Sequence, residues 1–151
     1  MDPRYGALTS ALVAAGRLGQ KTSAGNYDYG PDRRTPIPSE KALELRDRIA
    51  ADLGIARRTY GEEEIVMRCL LPVINEAARV LDEGVVARPS DIDVLWVYGY
   101  GFPTGKGGPV YLARQLGVQA VRRELESRRE ADPTFGNTYW APSRALDLLL
   151  A

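Results

Sequence analysis

The segment 62–112 constrains the fold more than any other part of the chain. Between Ile65 and Ile74 nearly every residue is apolar, Arg68 being the exception. A helix that is apolar nearly all round must be covered on more than one side. Glu62, Glu63 and Glu64 open it, where negative charge suits the helix dipole. The spacing predicts one long helix over 62–83, kinked near 68–72, because Pro72 removes a backbone donor and crowds the preceding turn. Gly84 then offers a left-handed cap, with Val85 placed for a hydrophobic contact. A second helix begins at 89–91. Either Ser90 caps it, or Pro89 takes the first helical position after Arg88. Ile92, Leu95 and Trp96 form its apolar stripe, and Gly99-Tyr100-Gly101 stops it. The elbow 101–109 that follows holds four glycines and two prolines.

Around this segment the pattern is also helical. Leu8, Leu12 and Ala15 mark a short helix over 5–15, ended by Gly16 and Gly19. Residues 18–29 are turn-rich; 26–29 alternate polar and aromatic, strand-like but without an evident partner. Three prolines make 30–38 a linker. Ser39 is positioned to cap a helix running to about 53, with Ala42, Leu45, Ile49 and Leu53 as its stripe. Lys41, Glu44, Arg46, Asp47 and Arg48 form its solvated face. Short helices are expected at 110–116 and 118–131, and a weak one at 142–151. The expected fold class is all-α, a multi-helix bundle without convincing strands, compact as one domain.

Chemistry is narrowed chiefly by what is missing. The chain has no histidine, so no imidazole can act as base, acid or ligand. Twenty basic and twenty acidic residues cancel, which leaves no electrostatic footprint for nucleic acid. No apolar run is long enough to span a membrane, and the opening MDPRYGAL is not a signal peptide. The single cysteine, Cys69, is read as a small core residue, and the lack of a disulfide framework suits a reducing, cytoplasmic compartment. The elbow YGYGFPTGKGGP fails the dinucleotide fingerprint at Thr104 and the Walker pattern at Tyr100 and Gly107, and no strand precedes it. It is better read as a tight helix-to-helix turn, in which Lys106 is a point charge able to touch a phosphate. Asn75 and Glu76 form a polar pair inside an apolar helix, suited to fixing how neighbouring helices dock. Trp96, Tyr98, Tyr100, Phe102 and Tyr111 crowd the elbow, as core or as a partner-facing patch. No residue qualifies as a catalytic, cofactor-binding or metal-binding group. Arg68, Asn75, Glu76, Trp96, Tyr98, Tyr100, Phe102 and Lys106 are the candidate packing or partner contacts.

Three pieces in order carry a family resemblance. They are GRLGQKTSAG at 16–25 with Tyr27 and Tyr29; RCLL from Arg68 with INEA from Ile74 and LDEG from Leu81; and Ile92-Asp93 with YGYGFP from Tyr98 and GGP from Gly107. Together they resemble the C-terminal helical domain of 3-hydroxyacyl-CoA dehydrogenases, most closely its second repeat in multifunctional fatty-acid β-oxidation enzymes. The resemblance implies that 1–38 is a remnant of the preceding repeat with its linker and that 39–151 is the second helical repeat. The family oxidises 3-hydroxyacyl-CoA with NAD through a separate nucleotide domain, whose glycine fingerprint, catalytic histidine and glutamate are absent here. Where the first repeat places an asparagine before an arginine, this chain has Met67 before Arg68. The resemblance therefore implies no catalytic residue and no cofactor in this chain. The implied partners are the remainder of a dehydrogenase polypeptide or a second copy in a homodimer, in a piece of a longer enzyme or a naturally short relative. The competing expectation is a stand-alone protein holding CoA or an acyl chain in the elbow, for which Lys21 and Lys106 speak.

Overall fold

A computed structural model describes residues 2–150. The chain divides into two compact units, 1–59 and 60–151. The position expected for the junction of the two repeats, 38/39, lies within the first of these units.

In the first unit α1 (Ala7–Ala14) packs on α2 (Glu40–Asp52). Leu12, Ala42 and Ala50 are its buried apolar residues. Leu8 and Ala15, expected beside Leu12, stay partly or fully exposed. The strand-like residues do find a partner. β1 (Tyr27–Tyr29) pairs antiparallel with β2 (Pro36–Pro38), Asp28 opposite Ile37, so the linker folds back as a strand. Its prolines alternate, which leaves Ile37 as the one possible backbone donor of β2 and suits it to an edge. This ladder, with isolated bridges pairing Gly19 with Ala24 and Ala24 with Asp28, is the departure from an all-helical chain among the described residues. Ser39 occupies the N-cap of α2, yet its hydroxyl caps nothing there. It accepts instead from Arg17 Nη2 at 2.7 Å.

The second unit contains α3 (Glu62–Asp82), α4 (Pro89–Gly99), a 3-10 turn at Thr104–Lys106, α5 (Pro109–Leu116), α6 (Val118–Ala131), α7 (Gly136–Tyr139) and a closing 3-10 helix, Leu146–Leu150. α7 was not legible, and the expected last helix tightens to 3-10 geometry. α3 runs through Pro72 as one helix. It ends as expected: Gly84 at φ 69° lets its own N–H reach Leu81 O and the Val85 N–H reach Val80 O. Val85 itself stays exposed, and Val86 packs toward the core in its place. α4 starts with Pro89 at its first position and Arg88 as N-cap, the second of the two expected alternatives. Leu71, Ile74, Ala77 and Ala78 of α3 form the core with Ile92, Val110, Ala113, Val121, Leu125, Leu146 and Leu149. Each fully buried leucine or isoleucine there contributes roughly 1.5–3 kcal/mol.

Two expectations about α3 and α4 are corrected. α3 is covered on one side in its first three turns: Ile65 and Val66 are 50% and 53% exposed. Cys69 is exposed on the same stretch rather than in the core. On α4, Leu95 is 53% exposed and Trp96 is only partly buried against the core. The reason is shared. This unit supplies neighbours for one face of each helix, whereas apolar content alone does not say which faces find one. Among the described residues, no helix is long and apolar enough to cross a membrane.

Candidate functional site

The elbow is assembled from α4, the 3-10 turn and the start of α5. Phe102 turns inward, 8% exposed, because its N–H bonds Trp96 O at 2.9 Å and folds the chain back over α4. Its ring meets Trp96 edge-on at 6.2 Å, and Tyr100 lies 5.1 Å from Trp96 on a tilted plane. Trp96, Tyr100 and Phe102 therefore form one cluster, whereas Tyr98 points away and is 85% exposed. Lys106 is exposed within the turn.

Beneath this turn lies a residue to which sequence reasoning assigned no role. Asp93 reaches from α4 to the start of α5, accepting from Val110 N–H at 2.7 Å and Tyr111 N–H at 3.0 Å. It caps α5 from a distance, since the N-cap of α5 is Gly108, which has no side chain. A Cβ on Gly108, held at φ 103°, would collide with the Asp93 carboxylate. The sequence signal was there: a Gly-Gly-Pro helix start lacks a capping side chain of its own, so one must come from elsewhere. Burial pushes the Asp93 carboxyl above its ordinary value, against the opposing pull of the two N–H donors and of Arg114.

This arrangement answers the question of a nucleotide. A helix start is a phosphate site when its N–H groups are open and glycines let a ligand approach. Here the carboxylate of Asp93 fills that position, and Gly108 makes room for Asp93. The residues present do not fit a dinucleotide. No group of three His, Cys, Asp or Glu residues that could hold a metal occurs among the described residues.

The α3 candidates serve separate ends. Asn75 is buried and clamps the C-terminal segment: its Nδ2 donates to Ala141 O at 2.8 Å, and Ser143 N–H donates to its Oδ1 at 2.7 Å. Arg79 adds a bond to Ala141 O at 3.2 Å. Glu76, expected to share this buried role, is exposed and pairs with Arg79 at 3.3 Å. Arg68 lies half-exposed, bonded to Glu64 at 3.1 Å and stacked 5.0 Å from the Tyr60 ring.

With the geometry in place, the comparisons with known proteins are decisive. Residues 65–150, more than half of the chain, match the family described as 3-hydroxyacyl-CoA dehydrogenase, C-terminal domain. The chain belongs to that family. The human peroxisomal bifunctional enzyme is 38% identical over 131 residues, covering 86% of this chain and 18% of that protein. The guinea pig (Cavia porcellus) enzyme of the same name is 37% identical over 133 residues, 87% of this chain and 18% of that protein. The zebrafish (Danio rerio) one is 34% identical over 149 residues, 98% of this chain and 20% of that protein. The chain thus spans about a fifth of the length of these relatives.

Proposed function

We propose that this chain is the non-catalytic packing module of an NAD-dependent 3-hydroxyacyl-CoA dehydrogenase acting in fatty-acid β-oxidation. Its work is mechanical. It offers apolar helix faces to the remainder of the dehydrogenase polypeptide, or to a second copy, and so steadies the nucleotide domain and acyl-CoA cleft that lie elsewhere. The observation that carries this is the set of outward apolar residues on the two helices of the family segment: Ile65, Val66 and Cys69 on α3, and Val94, Leu95 and Tyr98 on α4. Exposed large apolar residues occur along the whole chain, and those on the two helices of the family segment are surface that a partner can cover. Arg68, Trp96, Tyr98, Tyr100 and Lys106 remain the candidate contacts for that partner; Asn75 and Phe102 support it from inside. The cytoplasmic setting stays a proposal that rests on the unpaired thiol of Cys69, and the name of the relatives makes the peroxisome its rival.

The purified chain should show no oxidation of 3-hydroxybutyryl-CoA in the presence of NAD, and should co-purify with the preceding part of a dehydrogenase polypeptide. Turnover by the chain alone would refute the proposal. Heat released on titration with CoA or acyl-CoA, lost on Lys106→Ala, would favour a stand-alone CoA- or acyl-binding protein instead.

A further inference from the structure

The first unit holds a feature that the packing role leaves unused. A cavity of about 600 Å³ opens between the end of α1 and one face of α2, lined by Gly16, Arg17, Lys41, Glu44, Leu45 and Arg48 among others. Lys41, Glu44, Leu45 and Arg48 share a face of α2 by helical spacing. Arg17 faces them with a side chain only 9% exposed. It is locked in place: Nε donates to Gly25 O at 2.9 Å, and Nη2 to Asp28 and Ser39 Oγ, both at 2.7 Å. Its remaining nitrogen, Nη1, has no partner among the described residues, and neither Lys41 nor Arg48 makes a salt bridge there.

The electrostatics are unbalanced in one direction. Arg17, Lys41 and Arg48 face the single carboxylate Glu44 within the lining; with Asp28 answering Arg17 from outside it, one positive charge is left over. Lys41 also sits in the first turn of α2, where the helix dipole disfavours a cation. A fixed guanidinium facing two exposed cations on one helix face is a set of groups that recognises a phosphate.

We propose that the Arg17–Lys41–Arg48 cavity binds a phosphate group, free or as the monoester of a small ligand. Arg17 is the rigid donor, Lys41 and Arg48 close over the anion, and Glu44 limits the affinity by repulsion. This does not rest on the packing role. The test is titration of the full 151-residue chain with inorganic phosphate and with AMP at constant ionic strength, followed by NMR of the backbone amides and arginine guanidinium N–H groups. Saturable shifts should gather at 15–17 and 41–48. Lys41→Ala and Arg48→Ala should each weaken binding about tenfold. Glu44→Gln should tighten it, and Arg123→Ala on α6 should leave it unchanged. Unshifted thermal midpoints certify that the variants fold. Binding of phosphate with exclusion of AMP supports a site for the free ion, and binding of AMP at least as tightly supports an ester. Saturation by neither below roughly 20 mM, or shifts that persist in the double Lys41→Ala, Arg48→Ala variant, would overturn the proposal.

Discussion

Asn75 and Glu76 are adjacent and similar in polarity, yet they differ entirely in what they hold. Asn75 presents both a donor and an acceptor to the 141–143 backbone, which an ionised carboxylate such as Glu76, an acceptor only, could not do. Asn75→Ala leaves the Ser143 N–H buried without a partner and should cost about 2–3 kcal/mol in urea unfolding. Glu76→Ala removes an exposed ion pair and should stay within about 0.5 kcal/mol of wild type. Cys69 belongs to the same scale. Exposed on α3, its thiol should react with a disulfide reagent in the native chain at nearly the rate found in urea. Protection that vanishes only on unfolding would place it back in a core.

At the scale of elements, two junctions decide how helices meet. The α4–α5 elbow depends on Asp93 capping across it and on Gly108 leaving room. Asp93→Ala should cost about 1 kcal/mol. Gly108→Ala should cost about 2 kcal/mol or more, since a methyl group meets the carboxylate at a positive φ. In the first unit the junction is ionic. Arg17 and then the Ser39 hydroxyl hold the Asp28 carboxyl below its ordinary value of 3.8. A depressed carboxyl favours the folded state above that value and stops doing so as it takes up its proton. The first unit should therefore lose stability as pH falls below about 4, while Arg17→Gln flattens the acid limb of the melting profile. Both junctions bring together residues distant in the chain, and neither could be read from helical spacing. Helical spacing did disclose α2, α3, α5 and α6 to within a residue or two, because a repeating apolar face and its caps are local.

For the whole molecule the issue is what covers its outward apolar residues. Large apolar groups exposed on α3 and α4 drive association unless a partner takes them up. The chain alone should sediment above its monomer mass at high concentration, and Leu95→Glu with Tyr98→Glu should restore the monomer without lowering the melting point. Monomeric behaviour of the wild type at every concentration would count against a docking role.

The order and length of the main helices, their glycine and proline boundaries, the absence of imidazole chemistry and the family resemblance were all determined by the residues themselves. Each depends on neighbours a few positions away or on motif order. Tertiary structure alone decided that Asn75 is buried while Glu76 is not, that Cys69 and Leu95 face outward, that β2 pairs with β1, and that Asp93 closes the start of α5. Burial and pairing depend on which faces meet in space. An apolar residue records only that some cover is needed, without naming the surface that provides it.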